Sequence, residues 1–93
     1  MTKAEIVKTI AMQTGVNAKE VSTVVEAFME EIRTSLANNK ENVYLRGFGS
    51  FIVKHRAQKT ARNISKNTTL VIKAHDIPHF KPCKEFMQAV AEK

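Results

Sequence analysis

Ninety-three residues, 43% of them hydrophobic, fit one small domain and exclude both a disordered chain and a second domain. With five Phe, one Tyr and no Trp the core is short of bulk, so a partner subunit is expected to complete it. The lone Cys83 excludes an intrachain disulfide and fits a reducing cytoplasm, and no apolar run reaches membrane-spanning length or resembles a cleaved leader.

Thr2-Lys3-Ala4-Glu5 reads as a capping box, in which a Thr hydroxyl and a Glu carboxylate satisfy the free N–H groups of a helix start. Ile6, Val7, Ile10 and Ala11 follow at helical spacing, and Gly15 stops the run. Asn17-Ala18-Lys19-Glu20 repeats the start signal. Val21, Val24, Val25, Phe28, Met29, Ile32 and Leu36 then form a wide apolar stripe on a helix of about twenty residues, with Glu26, Glu30 and Glu31 on a solvated face. Residues 1–41 are thus expected to form a helical hairpin ended by Asn38-Asn39-Lys40.

From Asn42 the period changes to two. Val43 and Leu45 alternate with Tyr44 and Arg46, Gly47-Phe48-Gly49 turns the chain, and Phe51 and Val53 continue one face with Ser50, Ile52 and Lys54 on the other. The spacing predicts an antiparallel sheet over residues 42–81. Within it, residues 56–72 hold too few apolar side chains to bury a face and read as a projecting two-stranded arm. Its tip falls at Asn63 to Asn67, and Leu70, Ile72 and Ala74 resume alternation on the return. Ile77, Pro78, Phe80 and Pro82 form a crossing segment. Residues 82–93 form a short C-terminal helix carrying Phe86, Met87, Val90 and Ala91.

The charge is concentrated on the β segment that carries that arm. Residues 1–42 carry five Lys/Arg against six Asp/Glu, whereas residues 43–93 carry ten against three, which together make the net +6. Between Glu41 and Asp76 there is no acid, but there are seven bases: Arg46, Lys54, Arg56, Lys59, Arg62, Lys66 and Lys73. An unpaired positive field of this kind fits a polyanion, and extended β-ribbons with bases on both strands fit a nucleic-acid groove.

Arg46-Gly47-Phe48-Gly49-Ser50-Phe51, His55-Arg56, Thr60 with Arg62-Asn63, and Ile77-Pro78-His79-Phe80-Lys81-Pro82 occur in an order that resembles the HU/IHF family of bacterial architectural DNA-binding proteins. The likeness runs over essentially the whole chain, including the Met1-Thr2-Lys3 start. It implies an α+β fold: a helical hairpin, a three-stranded antiparallel sheet with an extended β-ribbon arm, a short C-terminal helix, and an intertwined dimer. It also implies a histone-like, nucleoid-associated protein of the cytoplasm whose arms wrap double-stranded DNA through the minor groove, bending and compacting it. In the family an Arg-Asn-Pro tip inserts its proline between base pairs. Here Arg62 and Asn63 match, and Ile64 stands where the proline would be. Ala61, Asn67 and Cys83 replace family glycines.

A surface lysine is usually only a solvated charge, and Lys8, Lys19, Lys40 and Lys93 are read that way. Arg56, Lys59, Arg62, Asn63, Ile64 and Lys66 are read as arm contacts to DNA. Arg46, Lys54 and Lys73 are assigned to phosphates at the arm root, and Lys3, Lys81 and Lys84 to a basic flank on the body. Phe28, Phe48, Phe51 and Phe80 belong to apolar faces and are expected in the core or dimer interface rather than as a base-stacking platform. His75 and His79 are four apart, but Pro78 breaks any helix that would align them, so no metal site is expected. Cys83 has no sequence-local partner and reads as a passive small side chain. No cofactor, small-molecule substrate or catalytic group is expected. The partners left open are a homodimer or a heterodimer with a paralogue. Function is left open between low-specificity binding and a sequence-preferring IHF-type factor, with an acidic-protein module or duplex RNA as further rivals.

Overall fold

The computed structural model describes residues 1–63 and 68–92, and for Ala61, Arg62, Asn63 and Thr68 the backbone only. Helix α1 spans Lys3–Thr14 and starts where the capping box places it. The Thr2 hydroxyl oxygen accepts from the Glu5 N–H at 3.3 Å and donates to the Glu5 carboxylate at 3.3 Å, so the box closes between the two side chains. Gly15 ends α1 at φ 75°, a left-handed position where a side chain would be strained. Helix α2 spans Ala18–Ala37 and is capped by Asn17, whose side-chain oxygen accepts from the Lys19 N–H at 2.8 Å. At its far end Lys40 turns the chain at φ 55°. Ser35 secures that turn by bonding the Glu41 carbonyl through its hydroxyl (2.9 Å) and the Glu41 N–H through its carbonyl (2.9 Å).

Strands β1 (Val43–Leu45), β2 (Gly49–Arg56) and β5 (His75–Pro82) form one antiparallel sheet in the order β1-β2-β5. Strands β3 (Lys59–Asn63) and β4 (Thr68–Ile72) form a separate two-stranded ribbon. The expected arm is therefore not a continuation of the β2–β5 ladder. Pairing stops after Arg56↔His75 and restarts at Lys59↔Ile72, leaving Ala57, Gln58, Lys73 and Ala74 outside either ladder. A side chain helps explain the break: His75 Nδ1 lies 2.9 Å from the Lys73 carbonyl oxygen, occupying an acceptor the ladder would use.

Helix α3 covers Lys84–Ala91, two residues beyond the end of β5 at Pro82. Cys83 is more than the passive side chain expected from sequence. It caps α3, its Sγ accepting from the Phe86 N–H at 3.4 Å, and its own N–H donates to the Phe48 carbonyl at 3.0 Å. These bonds seat α3 against the β1–β2 turn. There Phe80 is the hub of an aromatic cluster, with ring centroids 5.2 Å from Phe48, 4.9 Å from Phe51 and 6.0 Å from Phe86.

Gly49 lies beneath this cluster, opposite Pro82. A Cβ there would sit 2.6 Å from the Lys81 carbonyl oxygen and 2.7 Å from the Phe80 ring. Gly49→Ala should therefore force β2 and β5 apart and destabilise the fold by about 1–3 kcal/mol or more. A lowered urea midpoint is the expected observation, and a midpoint equal to the native one would show that the strands give way without cost.

The core of the single chain is slight. Among the described residues only Val21, Leu36 and Gly49 are buried, while Phe28, Phe48, Met87 and Val90 each leave near half or more of their surface exposed. The middle of the α2 stripe, at Val24, Phe28 and Met29, and the outer face of α3 thus stand uncovered.

Candidate nucleic-acid interface

Strand alternation sorts β2 and β5 into two faces. Phe51, Val53 and His55 stand opposite Phe80, Pro78 and Asp76. This is the face toward α2, since Val53 and Pro78 line a cavity of about 260 Å3 with Leu36 and Ala37. Ser50, Ile52, Lys54 and Arg56 alternate onto the other face, opposite Lys81, His79, Ile77 and His75. Lys54, Arg56 and Lys81 therefore share the face turned away from the helix, as the alternating sequence required.

Two concave surfaces gather four of the bases. Arg56 and Lys59 line one of about 610 Å3 with Gln58 and His75, at the step between sheet and ribbon. Arg46 and Lys81 line another of about 590 Å3 beside Ser50 and Cys83, where the β1–β2 turn meets the start of α3. Lys84 is the first residue of α3, and Lys73 falls in the unpaired step before β5. Arg62 and Asn63 belong to β3, opposite Thr69 and Thr68. Ile64 and Lys66, with the expected tip, lie outside the described residues. Lys3, expected on the flank, is ion-paired with Glu26 of α2; both side chains are half exposed, so water and salt weaken the pair.

On the opposite, α2-facing side of the sheet, the acid at the root of the arm is engaged. Asp76 bonds His55 Nδ1 at 2.9 Å through one carboxylate oxygen and Lys40 Nζ at 3.1 Å through the other. Hydrogen bonds from His55 and then Lys40 hold the Asp76 carboxyl below its ordinary value of 3.8. Whatever the contacts contribute is complete above that value and is lost as the pH falls below it. Lys40, read from sequence as a solvated charge, belongs to this cluster. The sequence signal was one residue short: a tip centred between Asn63 and Asn67 pairs His55 with His75, and only the observed register, Asn63↔Thr68, sets His55 across from Asp76.

His75 and His79 share one face of β5 but stand four residues apart along it, roughly 13 Å, too far for one metal ion. Among the described residues no three His, Cys, Asp or Glu side chains cluster closely enough to hold one. No helix among them is long and apolar enough to cross a membrane. The arrangement offers cations on a concave, extended surface.

A sequence model described as bacterial DNA-binding protein matches residues 1–91. The chain is 41% identical over 91 residues to the integration host factor beta subunit of Marinobacter nauticus, covering 97% of this chain and 92% of that one. It is 38% identical to the same subunit of Shewanella amazonensis, covering 97% and 95%. Among solved structures, HU of Anabaena cocrystallised with DNA superposes with a TM-score of 0.91 at 32% identity, over 100% of both chains.

Proposed function

Because the chain belongs to the bacterial DNA-binding protein family that contains HU and integration host factor, we propose that it is an architectural protein of double-stranded DNA, acting as a dimer in the bacterial nucleoid. The observation that carries this reading is the shared placement of Lys54, Arg56 and Lys81 on the face of the sheet away from α2, with Lys59 of the ribbon lining one concave surface with Arg56. Cations spaced along an extended surface meet phosphates, while Arg suits the deeper negative potential of a narrow minor groove. The β3–β4 ribbon then follows the minor groove, and wrapping around the body brings further phosphates to Arg46, Lys73, Lys81 and Lys84. Ile64, in the place of the family's proline, supplies the apolar group that wedges a base step open. Unstacking costs a few kcal/mol, offset by the surface that bent DNA then covers. Nothing in this chemistry calls for a cofactor or a catalytic group.

The similarity to integration host factor beta subunits favours a second reading, a sequence-preferring factor that pairs with a paralogous subunit. Competition at fixed salt separates the two. Duplexes recovered from a random pool by repeated binding are set against unselected duplexes of equal length. Low-specificity binding gives affinities within about tenfold, whereas a sequence-preferring factor gives a gap of about 1,000-fold or more. If an acidic protein competes and unrelated duplexes do not, both readings fail.

A further inference from the structure

Asp76 joins three parts of the molecule at the point where the arm leaves the body. Its carboxylate lies on β5, directly across from His55 on β2, and also reaches Lys40 in the turn after α2. One residue further out the ladder ends, and two residues on each strand intervene before the ribbon begins. Interactions at this step are therefore few, and small energies there have leverage. Five ribbon residues extend about 16 Å, so a tilt of about 10° at the root displaces the far end of β3 by about 3 Å. That is close to half the width of a minor groove.

We propose that Asp76 is a positioning residue for the arm, clamping His55 and Lys40 so that the ribbon leaves the sheet in the direction that bends DNA. The proposal rests on the DNA-bending reading above. Surface ion pairs are individually weak. This one is a three-member network in which the two ladder residues are already fixed across from each other, so little side-chain entropy remains to be lost. Asp76 is also its least exposed member, at 35%, against 66% for His55 and 56% for Lys40. Other charged groups surround it without joining it. Lys54 and Arg56 flank His55 on β2, His75 neighbours Asp76 on β5, and Arg33 of α2 lines the same small cavity as Lys40 and Asp76.

Charge alone predicts a different result from the clamp. Asp76→Asn removes a negative group beside a polyanion, so a purely electrostatic role tightens binding and leaves the bend as it was. The clamp keeps affinity equal or higher and lowers the bend. Fluorescence energy transfer across a saturated duplex, with affinity from titration, distinguishes them for the full-length native protein, Asp76→Asn, His55→Gln and His75→Gln. The measurements are made at about pH 6 and about pH 8, on either side of the range in which histidine changes charge.

We expect the bent population to fall at least twofold in Asp76→Asn. The native protein should bend DNA more at the lower pH, a difference that disappears in Asp76→Asn and His55→Gln and persists in His75→Gln. A native bend that Asp76→Asn reproduces, or a pH dependence that survives it, overturns the clamp while leaving DNA bending intact. Native protein that bends no duplex at either pH overturns both. Thermal melts of each variant show whether the fold is retained. If Asp76→Asn does not fold, His55→Gln, which keeps the Lys40 contact, decides by the same two readouts.

Discussion

The midpoint of thermal unfolding should rise by about 4 °C for every tenfold increase in protein concentration, because unfolding and dissociation are one event. The argument comes from surface. A folded monomer of 10.5 kDa exposes about 5,400 Å2 by the usual scaling, whereas this chain exposes 7898 Å2. The projecting ribbon accounts for part of the excess. Much of the rest is apolar: Phe28, Met29 and Val24 on α2, Phe48 on the β1–β2 turn, and Met87 and Val90 on α3. An excess of roughly 2,500 Å2 per chain is on the scale of obligate dimer interfaces. Phe80→Ala should cost about 3–5 kcal/mol, since Phe80 is the ring on which Phe48, Phe51 and Phe86 converge. Phe48→Ala should approach that value only because a second chain covers a ring that is 45% exposed in one chain alone. A monomer mass in solution, together with a melt that ignores concentration, would sink the dimer.

DNA affinity should fall steeply with salt. Two arms and two flanks neutralise roughly eight phosphates, giving a log–log slope of about −7 for duplex DNA. Replacing Arg56 and Arg62 with Ala removes about four of those contacts per dimer. The slope should then become shallower by about 3 to 4, and every sequence should weaken alike, since phosphate contacts carry little base identity. A native slope shallower than −2 would mean that the basic segment is not the main contact surface.

Much of this was legible because single residues carry strong local signals. The Thr2 box, the Gly15 stop and the change of period at Asn42 each impose a backbone geometry that distant contacts rarely override. The sorting of Lys54 and Arg56 to one face and Phe51 and Val53 to the other follows from strand alternation alone. What was not legible depended on groups meeting in space. Cys83 caps α3 in place of the usual Ser, Thr or Asp, and thiols are poor acceptors, so composition gave no hint. Phe86 reads as one apolar position on a short helix, and only the packing of α3 on the β1–β2 turn brings it within 5.1 Å of Phe48. Lys40 and His55 belong to Asp76 through a turn at positive φ and a cross-strand pairing. The interruption of the ladder coincides with one histidine reaching a carbonyl, a contact that exists only once the strand is folded.

That interruption divides the molecule into two cooperative units. The β1-β2-β5 ladder is tied to α2 and to the aromatic cluster, and the amides bonded within it are expected to exchange with solvent mainly when the body opens as a whole. The β3–β4 ladder meets the body only at its root, where Lys59 and Ile72 approach Arg56 and Ile77 among the described residues. Leu70 and Val71 are more than half exposed, and five paired positions are all that hold the two strands. Its amides exchange through a local opening far cheaper than global unfolding. Stability measured on the free protein therefore reports the body and is almost blind to the arm. Substitutions in β3 or β4 are therefore expected to leave the melt nearly unchanged, and any effect on DNA affinity should appear without a change in the stability of the body.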